Sequence, residues 1–109
     1  MQELSHGQSF IELFKSSLRP NSLYILDEPE TPLTPKNQLA LLVLIDDMIQ
    51  RGSQFIVAIH LPIIMAYPHA EIIEIKKDQI ERISYEAVEH MKFMEQFMKS
   101  PQSYMRHLF

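Results

Sequence analysis

Two adjacent carboxylates, Asp27 and Glu28, close the apolar run Leu23-Tyr24-Ile25-Leu26. Hydrolysing a nucleotide takes one carboxylate to hold Mg²⁺, usually through water, and another to orient or deprotonate the attacking water. Neighbouring positions at a strand's end supply both. A second apolar run, Phe55 to Ile59, ends at His60, and Ser5, Gly7 and Gln8 open the first amphipathic segment. A helix N-terminus with a hydroxyl and a close-approach glycine suits an anion, because its free N–H groups and positive dipole end face it. Each group also has an ordinary structural use. Asp-Glu-Pro makes a polar turn after a strand, a strand-end histidine is often structural, and Ser5 with Gln8 forms an S-x-x-Q capping box.

The elements that must position these residues follow from periodicity. Phe10, Leu13, Phe14 and Leu18 predict a helix from about Gly7 to Leu18, broken by Arg19-Pro20-Asn21-Ser22. Leu23 to Leu26 reads as a short, fully buried strand of the parallel-sheet kind. Thr34 as N-cap and Pro35 at the first helical position start a second helix that runs towards Arg51, with Gly52 as its stop. Phe55 to Ile59 is then a second strand, and the strand, helix, strand order implies a right-handed parallel crossover. Downstream, Pro62 to Tyr67 suggests a short helix and Glu71 to Ile75 a third strand. After a turn at Lys76-Lys77-Asp78, Gln79 to Ile83 alternates like an antiparallel edge strand. Tyr85 to Met98 carries Ala87, Met91, Met94 and Phe97 or Met98 at helical spacing, and Ser100-Pro101 starts a last helical segment.

Composition narrows the function classes. The 109 residues fit one domain at most, with 46% hydrophobic and 22% charged content, so a packed core is expected. A formal net charge of -4 with scattered Lys and Arg argues against a self-sufficient basic platform for nucleic acid. No cysteine is present, which excludes disulfides and thiolate metal sites. The longest apolar run, Leu39 to Ile45, is far short of the roughly 18 to 20 residues that span a bilayer, and the N-terminus has no secretory pattern. No membrane insertion is therefore expected, and the cytoplasm is the default location. Glu86 and His90, four apart on a predicted helix, could touch one metal ion, but nothing nearby completes a tetrahedral set. Met91, Met94, Met98 and Met105 read as adaptable packing residues.

Three motifs in order carry a family resemblance. Leu4-Ser5-His6-Gly7-Gln8 resembles the cassette signature LSGGQ, with His6 in place of its first glycine. Leu23 to Glu28 looks like a Walker B strand. Ala58-Ile59-His60-Leu61-Pro62-Ile63-Ile64 resembles the family's Ala-Thr-His-Ser-Pro-Ile-Leu, with Ile59 and Leu61 replacing hydroxyl residues. Together they cover about two-thirds of the chain and are similar to the C-terminal half of an ABC-type ATPase. Asp27-Glu28-Pro29-Glu30 followed by Thr31-Pro32-Leu33-Thr34-Pro35 resembles soluble AAA/ABC ATPases of the DNA-repair and chromosome-maintenance branch more than transporters. The resemblance puts Leu33-Thr34-Pro35 in the D-loop region, without its usual aspartate.

That resemblance implies an α/β chain, the C-terminal part of a three-layer P-loop NTPase fold with short parallel strands, flanking helices and an antiparallel edge hairpin. It implies one partial domain over residues 1–109, with the motifs in 1–84 and a helical segment in 85–109. ATP and Mg²⁺ are the implied ligands: Asp27 for the metal, Glu28 for the water, His60 for the γ-phosphate. Ser5, Gly7 and Gln8 would serve nucleotide held by a second subunit, so a homodimer is implied.

One component of that family is missing. With only Gly7 and Gly52 in the chain, no G-x-x-x-x-G-K-[ST] phosphate loop can exist. The expectation is a fragment, inactive alone, that hydrolyses ATP when a Walker A region is supplied by a partner chain or an upstream segment. A non-catalytic regulatory remnant is the alternative, and a transporter subunit, marked by a neighbouring permease gene, the third reading.

Overall fold

A computed structural model describes residues 6–109. The chain divides into two compact units, Met1–Tyr67 and Pro68–Phe109.

In the first unit, helix α1 spans His6–Ser17, strand β1 Leu23–Asp27, helix α2 Pro35–Gln50, strand β2 Gln54–Ala58 and helix α3 Pro62–Met65. Both ends of α2 follow from local chemistry. The Thr34 hydroxyl accepts the Asn37 N–H at 3.3 Å, and Pro35 sits where a missing N–H costs nothing. At the other end Gly52 takes φ +92, its N–H donates to the Ile49 carbonyl at 3.0 Å, and the Ser53 N–H reaches the Met48 carbonyl at 2.9 Å. This is a Schellman closure, which turns the chain directly into β2.

Along α2, Gln38, Leu41, Ile45 and Met48 recur at helical spacing and are buried. Leu41 and Ile45 form the core with Phe14 from α1, Leu33 and Ile64. Strands β1 and β2 pair in parallel, from Leu23 opposite Gln54 to Asp27 opposite Ala58. Tyr24 and Phe55 stack across the pair with ring centroids 5.0 Å apart.

The burial of β1 departs from expectation, and β2 shares its pattern. Both strands are half-buried, with burial alternating residue by residue along each. Leu26 and Phe55 lie against the core, whereas Leu23, Ile25 and Ile56 are 58%, 73% and 52% exposed. Successive side chains of a strand point to opposite faces, and within this unit only one face is covered.

In the second unit, strands β3 (Ile72–Lys76) and β4 (Gln79–Ile83) pair antiparallel through the turn at Lys77 and Asp78. They form a sheet of their own, not an edge added to β1 and β2. Ion pairs Arg82 with Glu71 (2.7 Å) and Lys76 with Glu74 (3.1 Å) lie along the hairpin. The helix expected from Tyr85 to Met98 is split: Tyr85–Ala87 is a 3-10 turn, and helix α4 begins at Glu89 and ends at Lys99. Val88, extended at φ -64 and ψ 120 and almost fully buried, makes the break by anchoring its side chain. Helix α5, Pro101–Leu108, starts on a proline as expected, and Tyr104 packs on Phe93 and Phe97 of α4. Of the methionines read as packing residues, only Met91 is buried; Met94, Met98 and Met105 are exposed, because they lie outside the stripe of α4 and α5 that has neighbours within this unit. Among the described residues no helix is long and apolar enough to cross a membrane.

Candidate active site

The parallel pairing brings the C-terminal ends of β1 and β2 side by side. Asp27 is the last residue of β1, level with Ala58, and is exposed. The next residue, Glu28, continues the ladder by one bond, its N–H reaching the Ala58 carbonyl at 2.8 Å. It then adopts φ +50, a left-handed conformation that costs a residue with a Cβ about 1–2 kcal/mol. Such strain persists where the surroundings impose it and concentrates at working sites. The chain reverses at once: Thr31 N–H bonds the Glu28 carbonyl at 3.2 Å and Leu33 N–H the Glu30 carbonyl at 2.9 Å.

His60, two residues beyond β2, places Nε2 2.7 Å from Glu28 Oε1. Their side chains are 73% and 47% exposed, so the contact is solvated and contributes at most about 1 kcal/mol to stability. Its interest is chemical. A carboxylate with an imidazole at hydrogen-bond distance can pass or hold a proton on a water between them and a substrate. Pro29 and Glu30, by contrast, are buried, and Glu30 is 2% exposed with its Oε2 unpartnered. Burial pushes the Glu30 carboxyl above its usual range. Hydrogen bonds from its own and the His60 backbone N–H, and the nearby imidazole, pull the other way, while Glu28 adds a small repulsion.

The structure thus brings Asp27, Glu28 and His60 to neighbouring strand ends. Gly7 and Gln8 lie in the first turn of α1, and Ser5 falls outside the described residues. Among the described residues no group of three or more His, Cys, Asp or Glu side chains could hold a metal, Glu86 and His90 included. Mg²⁺ does not need such a cage, since one or two carboxylates with water and substrate phosphates suffice, and an exposed strand-end Asp27 fits that donor set. The phosphate cradle does not fit: nothing in the chain can form the loop. Glu30 was not a candidate from sequence. A third carboxylate within four residues was the available signal, but its burial arises from the tight reversal after Glu28.

No protein-family model matches the sequence, and no curated protein does. A solved structure, from work on the structural biochemistry of ATP-driven dimerization and DNA stimulated activation of SMC ATPases, matches with a TM-score of 0.61 at 21% identity, over 87% of this chain. The fold is similar to that of the chain in that structure. The match covers 62% of that chain, so this polypeptide spans less than two-thirds of its length.

Proposed function

We propose that this chain is the metal-and-water portion of a soluble ABC-type ATPase, and that it binds and hydrolyses ATP with Mg²⁺ only when a further polypeptide segment supplies the phosphate loop. The observation that carries the reading is the 2.7 Å contact between Glu28 and His60 at the ends of paired parallel strands. Glu28 orients and deprotonates the attacking water, and His60 steadies the water and contacts the γ-phosphate. Asp27 would hold Mg²⁺, which when bound would supply charge neutralisation on the phosphates.

The need for completion is supported by the uncovered face of Leu23, Ile25 and Ile56. Parallel sheets are normally covered on both faces, and a two-stranded one leaves both edges open. A second copy of the assembled unit would present Ser5, Gly7 and Gln8 to the nucleotide, in keeping with the ATP-driven dimerization of the SMC ATPase it resembles. DNA stimulation, also described for that ATPase, would need basic surface from another part of the assembly, given this chain's net charge of -4.

The missing phosphate loop favours one rival, a non-catalytic remnant that keeps the fold. Binding separates the two. The completed assembly should retain Mg·ATP in a filter or fluorescence titration and the isolated chain should not, whereas a remnant shows no Mg²⁺-dependent nucleotide binding in either form.

A further inference from the structure

The second unit carries two helices whose apolar sides it leaves largely uncovered. Along α4, Met91, Met94 and Met98 recur at helical spacing beside Phe93 and Phe97, with Lys92, Glu95 and Lys99 on the opposite side. Met91 is buried and Phe97 half-buried, but Phe93, Met94 and Met98 are 52%, 40% and 71% exposed. In α5, Met105 is 44% and Leu108 72% exposed, and Arg106 and His107 lie opposite.

These side chains form one face. Tyr104 meets Phe97 and Phe93 at ring-centroid distances of 5.5 and 5.6 Å, so α5, after the corner at Ser100, turns back along α4. On α4, Met94 and Met98 each follow a Tyr104 contact by one residue, and on α5 Met105 follows Tyr104 by one. A helix turns about 100° per residue, and in two helices that run back along each other the same turn away from a shared contact leads to the same side of the pair. Met94, Met98 and Met105 therefore flank the aromatic cluster on one surface, with Phe93 and Leu108 beside them.

Area and charge indicate what this face fits. At on the order of 200 Å² per fully exposed large side chain, Phe93, Met94, Met98, Met105 and Leu108 leave about 550 Å² open, towards the upper end of what a monomer normally shows as one patch. Two such faces together bury about 1,100 Å², above the roughly 1,000 Å² that a specific association needs. The centre of the face carries no charge, and its rim carries both signs, Glu95 paired with Lys99 at 3.2 Å on α4 and Arg106 on α5. An apolar centre with a mixed-sign rim matches a copy of itself and offers little to a strongly charged partner. Flexible methionine side chains let two such surfaces adapt to each other.

We propose that α4 and α5 are a self-association surface: two copies of this chain pair face to face through Met94, Met98, Met105 and Leu108, in a two-fold contact that needs no nucleotide. The inference goes beyond the ATPase reading, because nothing in it depends on Asp27, Glu28 or His60, and either can fail without the other.

Sedimentation equilibrium of the full chain without nucleotide tests it, with Ile25→Thr and Ile56→Thr in place so that the apolar sheet face of the first unit adds no association of its own. The mass should rise from monomer to dimer as the concentration is raised to about 100 µM, as suits a small interface. Met98→Glu with Leu108→Glu should weaken the dimer at least about tenfold through like charges brought together, and Met98→Lys with Leu108→Lys likewise. Circular dichroism should not change, since both positions are exposed. Mixed in equal amounts, the two oppositely charged variants should pair with each other more tightly than either pairs with itself, which also excludes misfolding as the cause of the loss. A chain that stays monomeric up to about 100 µM overturns the proposal, as do dimers indifferent to these substitutions or opposite variants that fail to pair. Dissociation of the dimer on adding the polypeptide that supplies the phosphate loop would assign the face to that polypeptide and likewise contradict it.

Discussion

Glu28 and His60 stand 32 positions apart in sequence, yet Glu28 Oε1 meets His60 Nε2 at 2.7 Å. The parallel register makes this possible, because Asp27 pairs with Ala58 and each candidate residue lies just beyond its strand. The carboxylate reaches that position from a left-handed backbone.

That conformation predicts a trade between stability and chemistry. Glu28→Gly removes the Cβ clash at φ +50 but loosens the unfolded chain and loses a solvated contact. Chemical denaturation should show stability unchanged or raised by up to about 1 kcal/mol. A fall of more than about 1 kcal/mol would show that the position is not strained.

Gly52 should behave oppositely. A Cβ there would collide with Asn21 Oδ1, and φ +92 disfavours any L side chain. Although the Asn21 side chain can swing away, the backbone strain remains. Gly52→Ala should lower stability by about 1 kcal/mol or more, read as a shifted denaturation midpoint at unchanged slope.

Acid should strengthen the first unit over a defined window. Glu30 has a carboxyl raised above its ordinary value by burial, so between the unfolded and folded values the native state binds more protons than the unfolded one. The Glu30 contribution therefore falls as pH rises through that window and is most favourable below it. Stability measured against pH should show this negative slope in the unaltered chain and a flatter profile in Glu30→Gln; equal profiles would contradict it.

Much of this was legible in the sequence, for identifiable reasons. Capping by Thr34 and Pro35 and the Gly52 stop are local chemistry, and the observed Pro35–Gln50 helix ends where they indicated. The hairpin of β3 and β4 followed from alternation and a polar turn. What stayed hidden depends on neighbours distant in sequence. Apolar Leu23 and Ile25 read as buried because composition says nothing of whether a covering layer is present. Val88 broke a helix that methionine spacing had extended, since its burial, not its helix propensity, sets the backbone there. The candidate residues could be named one by one, but the buried Glu30 behind them appeared only with the fold.

The uncovered sheet face gives a prediction about assembly. Ile25→Thr with Ile56→Thr keeps β-branched residues on the strands while removing apolar surface. The isolated chain should remain folded by circular dichroism and become less prone to self-association in size-exclusion chromatography. It should also lose affinity for the polypeptide that supplies the phosphate loop. Full retention of that affinity would place the missing segment on another surface.

The most direct test of the central claim is ATP turnover by the chain recovered from its source cells with whatever assembles on it, compared with the same assembly carrying Glu28→Gln. The expected result is Mg²⁺-dependent hydrolysis by the assembly, at least about 100-fold slower in the variant, as befits loss of a general base, and none by the isolated chain. Turnover unaffected by Glu28→Gln, or an assembly that neither binds nor hydrolyses ATP, would contradict the account.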